Sequence, residues 1–503
     1  MQCVLLVIIG CIARTACDPF PVPNKEREAN RTYWSQLGKS RIFKNLAQEQ
    51  NKNRAKYVII FLGDGMGVST VTAARIFKGQ FTKNESGEEN VLSWEEFPYV
   101  SLSKTYGLDA QTSDSANSAT AYLCGVKANI GTVGVDSTVK GGQCHNDTTA
   151  YVDSIMQWAQ DSGMWTGIVT TSTVTDASPA AAYAHSGFRE WQHSVPNGCN
   201  ASDIAKQLIY GSPGRDMRVI MGGGRQEFFH NKTCDKYGNR GARTDGLNLI
   251  DIWKEMKNNS NATYSYVTSK DELEAVNPNT TDYLLGLFSV DFMPFWLERQ
   301  TYNKTTPGLG DMVSVAVKIL SKNPKGFVLL AEGGRIDHAH HVNLAQLALQ
   351  ETMEFEGVVK EVAAKLPQNE TLIVVTADHS HTLNIAGHPP RGTNILGFAG
   401  KTETEDPVEY TILSYGVGPG GYRPLINVTM KNTTDIFFRQ QAAFPTKFAP
   451  HGGEDVAVYA TGPWAHLFTG VHDQTFIPYA IAYAACIGLF NGSECHLCEK
   501  QTQ

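Results

Sequence analysis

Acidic residues follow three short apolar runs of the chain. The runs, each with its acidic residue, are 56–62 with Asp64, 326–331 with Glu332 and 371–377 with Asp378. Short buried runs of this kind are typical of parallel strands in an α/β protein, and such sheets bind ligands beyond the carboxyl ends of their strands. We therefore expect the three segments to bring their side chains to one edge of a sheet.

Histidines accompany two of these three segments. Asp337, His338, His340 and His341 follow Glu332, and His379 and His381 follow Asp378. Asp337 and His341 are four residues apart, so on a helix they would share one face. Oxygen and nitrogen donors together form the ligand set of several divalent metals, and there are enough of them here for more than one ion.

A serine lies where a helix is predicted to begin within residues 111–121. The segment starts polar and becomes alanine-rich, and Ser113 or Asp114 can cap it, which places Ser115 in the first turn. Free backbone N–H groups there favour an anion. Ser115 can attack phosphorus if a metal lowers the pKa of its hydroxyl, whereas an ordinary capping serine is the alternative interpretation of the segment.

The remainder of the chain predicts the elements that position these residues. With 503 residues, 42% of them hydrophobic and 18% charged, the chain can bury a large core and is too long for one minimal domain. Strands alternate with helical stretches, which predicts an α/β fold with a large, mainly parallel central sheet, helices on both of its faces and a small appended β-rich region.

The formal charge of −7 gives no electrostatic case for a nucleic acid partner.

The predicted organisation has five parts. They are a signal peptide at 1–17, an N-terminal arm at 18–55, the main α/β domain with insertions at 56–391, the appended β-rich region at 392–446, and a return to the α/β domain with a polar tail at 447–503. An apolar run followed by small residues predicts the signal peptide. No run reaches the roughly 18 apolar residues of a membrane helix, and the tail lacks the hydrophobic end of a lipid-anchor signal. We therefore expect a secreted, extracellular protein with no transmembrane segment and no GPI anchor.

Glycosylation sequons support export. Asn-X-Ser/Thr sequons occur at Asn30, Asn84, Asn146, Asn200, Asn231, Asn258, Asn261, Asn279, Asn303, Asn369, Asn427, Asn432 and Asn491. This density is typical of an N-glycosylated surface.

The cysteines are expected to pair for the most part, as in an oxidising compartment. Cys124 lies in an apolar helical stretch, so we expect it to be a buried free thiol. Several pairings are open for Cys144, Cys199, Cys234, Cys486, Cys495 and Cys498. The spacing of Cys495 and Cys498 is also that of half a metal site, but no second pair follows, and disulfides or free thiols are favoured.

Five motifs, in this order, resemble those of the animal alkaline phosphatases. They are Asp64-Gly65-Met66-Gly67, Asp114-Ser115-Ala116, Glu332-Gly333-Gly334-Arg335-Ile336-Asp337-His338, Thr376-Ala377-Asp378-His379-Ser380-His381 and His451-Gly452-Gly453-Glu454-Asp455. The resemblance covers nearly the whole mature chain. It implies an enzyme that hydrolyses phosphate monoesters to alcohol and inorganic phosphate at alkaline pH, through a phosphoserine intermediate on Ser115. It also implies a homodimer.

The resemblance also implies ligands for two zinc ions and one magnesium ion. Asp337, His341 and His451 would hold one zinc ion. Asp64, Asp378 and His379 would hold the second zinc ion, with Ser115 in reach of it. Asp64, Ser178 and Glu332 would hold the magnesium ion. Asp176, His338 and His381 would lie beside these ligands without binding a metal. Arg189, which follows Ser178 at the family's spacing, would bind two phosphate oxygens with its planar fork.

The chain departs from the family pattern at a few positions. Asp176 stands where vertebrate members carry histidine and bacterial members aspartate, whereas His338 matches the vertebrate pattern. Our hypothesis is that Asp176 orients water bound to magnesium. Ser289 and Lys304 stand where carboxylates of a fourth, calcium-like site are expected, so we do not expect calcium there. His388 stands where vertebrate members place a tyrosine from the partner subunit.

Two other classes of function are compatible with parts of this pattern. Related phosphodiesterases and sulfatases favour a threonine or a modified cysteine as nucleophile, and diesterases lack the Arg189 counterpart, so Ser115 with Arg189 favours monoesters. A non-catalytic phosphate-binding or recognition protein on the same scaffold is the other alternative. It is disfavoured because every ligand position is filled.

Overall fold

The computed structural model describes residues 19–302, 305–405, 407–421, 428 and 431–495. Several sequence predictions lie outside the described residues, namely the signal peptide at 1–17, Lys304, Cys498 and the sequons at Asn303 and Asn427.

The strands in chain order are β1 (Tyr57–Gly63), β2 (Tyr99–Lys104), β3 (Trp165–Thr173), β4 (Val219–Gly223), β5 (Tyr264–Val267), β6 (Tyr283–Leu287), β7 (Phe327–Gly333), β8 (Thr371–Thr376), β9 (Ser380–His381), β10 (Leu383–Ile385), β11 (Phe398–Lys401), β12 (Glu409–Thr411), β13 (Leu413–Gly418), β14 (Ala442–Pro445), β15 (His451–Gly452), β16 (Val456–Thr461) and β17 (Gly470–Asp473). The α-helices are α1 (Lys25–Glu28), α2 (Arg31–Leu46), α3 (Val68–Lys78), α4 (Ser115–Cys124), α5 (Ile155–Asp161), α6 (Ala177–Ala180), α7 (Ile204–Tyr210), α8 (Leu249–Asn259), α9 (Lys270–Glu274), α10 (Trp296–Thr301), α11 (Leu309–Leu320), α12 (Arg335–His341), α13 (Ala345–Lys365) and α14 (Phe476–Ala485).

A ten-stranded sheet forms the centre of the protein, in the order β17-β2-β16-β8-β1-β7-β3-β4-β6-β5. The strands from β8 to β5 in this order all run parallel. The antiparallel member is β16, which joins β8 to β2. The predicted fold class, a mainly parallel α/β sheet, is therefore confirmed.

The central strand β1 shows why these apolar runs form strands. Its sequence is rich in β-branched and aromatic residues, which suit the pleated surface of a sheet. Alternate side chains point to opposite faces, so Val58 and Ile60 join one apolar core and Ile59 and Phe61 join the other. Both faces of β1 are thus buried, and helices cover the sheet on both sides.

Small sheets are present in addition to the central sheet. One has the order β10-β13-β14 and another pairs β11 with β12. A third pairs β9 with β15, in a register that sets His381 opposite His451. This short ladder brings the segment after β8 against a segment that follows 70 residues later along the chain, counted from His381 to His451.

The disulfides link Cys144 to Cys199 and Cys486 to Cys495. Cys124 is buried and free, as predicted from its apolar helix. Cys234 was expected to form a disulfide but is exposed and free. It has no disulfide partner because every other cysteine in the described part of the chain is either disulfide-bonded or buried in α4. The bond from Cys495 to Cys486 also leaves Cys495 unable to form half of a metal site.

The N-terminal arm lies on the outside of the protein. Helix α2 has no buried residue, and the apolar side chains of Trp34, Ile42 and Phe43 are exposed. The chain before it is fixed by the backbone N–H of Phe20, which donates to the carbonyl of Gly392. Among the described residues, no helix is both long enough and apolar enough to cross a membrane.

Val58→Ala should destabilise the protein because it leaves a cavity in the centre of the sheet. Val58 is 0% exposed, and we expect its truncation to lower the free energy of unfolding by about 2 kcal/mol. The matched control is Val471→Ala in the edge strand β17, where the side chain is 55% exposed, with an expected change within about 0.5 kcal/mol. Denaturant unfolding measures both, and equal losses would contradict the assignment of β1 to the core.

Candidate active site

Three adjacent strands of the central sheet deliver carboxylates to one edge. Asp64 follows β1, Glu332 lies near the end of β7, and Asp378 follows β8. The register pairs Leu62 with Glu332 on one side and with Thr376 on the other. The three segments singled out in the sequence therefore end side by side.

Helix α12 and strand β15 bring two histidines to Asp337. His341 Nε2 lies 3.1 Å from Asp337 Oδ2, and His451 Nε2 lies 3.6 Å from Asp337 Oδ1. The two Nε2 atoms are 3.3 Å apart. His381 also contacts Asp337 through Nε2, and ligand atoms of these four residues lie within 4.8 Å of one another.

The backbone orients both of these histidines. His341 Nδ1 is 2.6 Å from the carbonyl of Ala449, and His451 Nδ1 is 2.9 Å from the carbonyl of Ser113. A carbonyl oxygen only accepts, so both Nδ1 atoms donate and both Nε2 atoms are turned towards Asp337. This arrangement, with a carbonyl holding the far nitrogen of each ring, is the one found at metal-ligating histidines.

The two histidines differ in pKa, and His341 carries a proton beside Asp337. Burial lowers the pKa of His341, but the charge of Asp337 outweighs this effect and raises the pKa to about 9. Burial lowers the pKa of His451 to about 4, so this ring is neutral and can accept. A divalent cation bound by the three residues would replace that proton, because metal ligands must be deprotonated.

A second group of donors surrounds Asp64. Ligand atoms of Asp64, Asp337 and His379 lie within 4.8 Å of one another. His379 Nε2 is 3.1 Å from Asp378 Oδ2 and 3.7 Å from Asp64 Oδ1. The backbone N–H of Gly65 donates to Asp378 Oδ1 at 3.0 Å, which leaves Asp378 Oδ2 turned towards the site.

Several buried oxygens of the site have no hydrogen-bond partner in the described structure, namely Asp64 Oδ1, Asp378 Oδ2 and Ser178 Oγ. Burial raises the pKa of Asp378 to about 7 and that of Glu332 to about 8. Burial also raises the pKa of Asp64, and the charge of Asp378 raises it further. Unpaired buried carboxylates are costly without a counter-charge, so these donors fit divalent cations.

Ser115 is the first residue of α4 and is 3% exposed. The helix begins there because the Asp114 side chain accepts from the backbone N–H of Asn117, whose own side chain accepts from the N–H of Asp114. Ser115 Oγ lies 3.2 Å from His379 Nε2. The hydroxyl is thus at the positive end of a helix and beside the second donor group.

Arg189 is held between two carboxylates. Its Nη1 is 3.3 Å from Asp114 Oδ2, and its Nη2 is 3.0 Å from Asp176 Oδ1. Burial lowers the pKa of Arg189, but Asp176 and Asp114 raise it above its ordinary value. The guanidinium is therefore a fixed positive charge next to the residue that precedes Ser115.

Asp176 and Ser178 come from the short helix α6. Asp176 caps this helix by accepting from the N–H of Ala177, and its other oxygen accepts from Ser172 Oγ at 2.5 Å. His338 accepts at Nδ1 from Arg335 at 2.8 Å, and its ring lies 4.3 Å from that of Phe292. Burial raises the pKa of Asp176, but Arg189, and after it His338, lower this pKa below its ordinary value.

Two histidines near these motifs stay apart from the donor groups. His340 is buried, with Nδ1 2.8 Å from the Tyr415 hydroxyl and Nε2 3.0 Å from Thr70 Oγ1, so both ring nitrogens are occupied. His388 is exposed. At the position of the calcium-like site, the backbone carbonyl of Ser289 accepts a hydrogen bond from the backbone N–H of Arg225. The other position of that site, Lys304, lies outside the described residues.

Sequence reasoning missed two residues that support the site. Thr170 in β3 donates to Glu332 Oε2 at 2.5 Å, and nothing in the sequence distinguishes it from other strand threonines. Asp114 was recognised only as a helix cap, whereas it also pairs with Arg189. The position of Asp114 next to Ser115 was the only signal of this second role.

Comparisons with known proteins agree with the geometry. The profile of the family described as "Alkaline phosphatase" matches residues 55–487. The tissue-nonspecific alkaline phosphatase of Felis catus is 48% identical over 93% of this chain and 90% of its own length, and the membrane-bound alkaline phosphatase of Bombyx mori is 43% identical over 88% and 82%.

Solved structures share the fold. The alkaline phosphatase of Thermus thermophilus superposes with a TM-score of 0.61 at 21% identity, covering 86% of this chain and 92% of that one. The enzyme from the Antarctic bacterium TAB5 superposes with a TM-score of 0.58 at 21% identity, covering 86% and 99%. With nearly half of its residues shared with a curated relative along almost its full length, the chain belongs to the alkaline phosphatase family and is a phosphoric monoester hydrolase.

Proposed function

We propose that the protein hydrolyses phosphate monoesters at alkaline pH through a phosphoserine on Ser115, with two zinc ions and one magnesium ion as cofactors. One observation carries the proposal: the Nε2 atoms of His341 and His451 lie 3.3 Å apart and face Asp337. Ser115 Oγ and His379 form part of the same site. A nucleophile beside convergent metal donors is the arrangement that this hydrolysis requires.

The donor groups divide among three cations in our proposal. Asp337, His341 and His451 hold one zinc, Asp64, Asp378 and His379 hold the other, and Asp64, Ser178 and Glu332 hold magnesium. Imidazole with carboxylate suits zinc, whereas the oxygens of the third set suit magnesium. The unpaired oxygens of Asp64, Asp378 and Ser178 support this division.

The protein side chains then act in two displacements. The cations, when bound, lower the pKa of hydroxyl groups and neutralise negative charge on the phosphoryl group. Ser115 Oγ forms a bond to phosphorus as the ester P–O bond breaks and the alcohol leaves. Water then attacks the phosphoserine, releasing phosphate and restoring the Ser115 hydroxyl.

Arg189 binds the phosphoryl group throughout both displacements in this proposal. Asp114 and Asp176 hold its planar fork, so little rotamer freedom is lost when two phosphate oxygens bind. The N-terminus of α4 favours the same anion. All of these contacts are to the phosphoryl group, so we expect many different alcohols to be accepted.

The same features weigh against the alternatives. A monoester has three non-bridging oxygens and a diester two, so a monoester can bind the Arg189 fork with two of them and still offer one to a bound cation. A non-catalytic phosphate-binding protein would not need a serine hydroxyl 3.2 Å from His379.

We further propose that the protein is secreted, N-glycosylated and homodimeric, and that the five-part organisation predicted from the sequence describes its domains. Two disulfides support an oxidising compartment. Every sequon asparagine among the described residues is exposed. The unburied apolar side chains of α2 support a partner subunit that covers them.

Ser115→Ala should abolish turnover because it removes the attacking oxygen. We expect kcat on an aromatic phosphate monoester to fall by at least about 10³-fold, as at other nucleophile deletions. The control is Ser162→Ala after α5, whose hydroxyl only donates to the backbone of Trp158, and it should keep wild-type turnover.

A phosphate diester assayed in parallel distinguishes the enzyme classes. We expect the wild type to hydrolyse the monoester far faster. A Ser115→Ala variant with wild-type activity would refute the proposed nucleophile, and faster cleavage of the diester would refute the proposed substrate class.

Removal of metal should lower thermal stability, because buried carboxylates lose their counter-charges. Binding at about 1,000 times Kd contributes about 4 kcal/mol, so chelation with EDTA should lower Tm by several degrees and abolish activity. Zinc and magnesium together should restore both. EDTA saturated beforehand with both metals is the control, and an unchanged Tm in free EDTA would contradict the metal site.

Asp176→His tests the hypothesis that Asp176 orients water bound to magnesium. We expect the magnesium concentration for half-maximal activation to rise about tenfold or more, since an imidazole cannot accept as a carboxylate does. Asp161→His on the exposed end of α5 adds the same imidazole away from the site and should leave activation unchanged. Unaltered magnesium activation in Asp176→His would contradict the hypothesis.

A further inference from the structure

Tyr122 carries a hydroxyl group that the proposed reaction does not use. It lies in α4, seven residues after Ser115, which is two turns along the same face of the helix. The side chain is 0% exposed, and its hydroxyl has no hydrogen-bond partner in the described structure. A phenylalanine would fill the same volume without burying an unpaired hydroxyl, so packing does not explain this residue.

The Tyr122 hydroxyl faces the short helix α6. Helix α4 packs against α6. Ser178 in α6 is 1% exposed, and its hydroxyl is also unpaired. The two hydroxyls are neighbours, since Ser178 lowers the pKa of Tyr122 against the larger effect of burial.

Carboxylates surround the same space. Burial raises the pKa of Tyr122 well above its ordinary value, and the charges of Asp378, Glu332 and Asp64 add to this effect. Glu332 also interacts with Ser178. The Tyr122 hydroxyl, on the nucleophile helix, is thus in the neighbourhood of the residues that the proposed function assigns to magnesium.

We propose that Tyr122 is a positioning residue for the magnesium ion, acting through Ser178; this inference rests on the metal site of the proposed function. The Tyr122 hydroxyl oxygen accepts the proton of Ser178 Oγ, so that a lone pair of Ser178 Oγ faces the cation. The nucleophile helix and the magnesium site are thereby joined by one side chain.

The test measures magnesium binding to the full-length, zinc-loaded enzyme by isothermal titration calorimetry. Tyr122→Phe removes only the hydroxyl, and we expect Kd for magnesium to rise about tenfold, the usual effect of losing a residue that orients a metal ligand. The matched control is Tyr415→Phe, which is 1% exposed and has its hydroxyl 2.8 Å from His340 Nδ1. Its magnesium Kd should equal that of the wild type.

Thermal unfolding separates this role from a structural one. In EDTA the Tyr122 hydroxyl is unpaired, so Tyr122→Phe should match or exceed the wild-type Tm, whereas with magnesium it should melt lower. Tyr415→Phe should melt lower in both conditions because it always loses a hydrogen bond. In a Ser178→Ala background, adding Tyr122→Phe should change Kd less than twofold, because the tyrosine acts through the serine.

Three results would overturn the inference. They are a wild-type magnesium Kd in Tyr122→Phe, an equal loss of Tm with EDTA and with magnesium, and a full tenfold effect in the Ser178→Ala background. A wild-type enzyme that binds zinc but no magnesium would overturn the proposed magnesium site together with the inference. The first three results leave that site intact, so the two failures are distinguishable.

Discussion

Buried negative charge at the end of three adjacent parallel strands is the constraint on which the site depends. Asp64, Glu332 and Asp378 lie close together and away from water, where ionised carboxylates are stable only beside positive charge. His341, with its pKa raised beside Asp337, offsets the charge of that neighbouring carboxylate, whereas Asp64 Oδ1 and Asp378 Oδ2 have no hydrogen-bond partner. Divalent cations are the simplest means of satisfying all of these oxygens. The firmly buried strands hold the oxygens together, although burying such a site without cations is costly.

The fold keeps these groups in place by means that are independent of the metal. Strands β8, β1 and β7 are buried on both faces, so their ends cannot separate without disrupting two apolar cores. The β9–β15 ladder ties His451 to His381, and backbone carbonyls set the orientation of both His341 and His451. These contacts restrict the donors without involving a metal, which lowers the cost of ordering them on binding.

Positive charge for the phosphoryl group comes from elements on the other side of Ser115. The N-terminus of α4 and the Arg189 fork are linked by Asp114, which caps the helix and pairs with the guanidinium. Asp176 pairs with the same guanidinium and caps α6, the helix that carries Ser178. The proposed magnesium site and the proposed phosphate site thus share a hydrogen-bonded frame, and a change at Asp176 is expected to affect both.

Sequence patterns were sufficient to predict a mainly parallel sheet, the strands that precede Asp64, Glu332 and Asp378 and the edge at which these residues meet, because apolar runs of strand length carry that information locally. The free thiol of Cys124 was predictable for the same reason. The pairing of Asp114 with Arg189, the support of Glu332 by Thr170, the exposed thiol of Cys234 and the position of the Tyr122 hydroxyl were decided only by the tertiary structure. Each depends on contacts between segments far apart in the chain, and no local periodicity records which side chains will meet when a sheet and its helices pack.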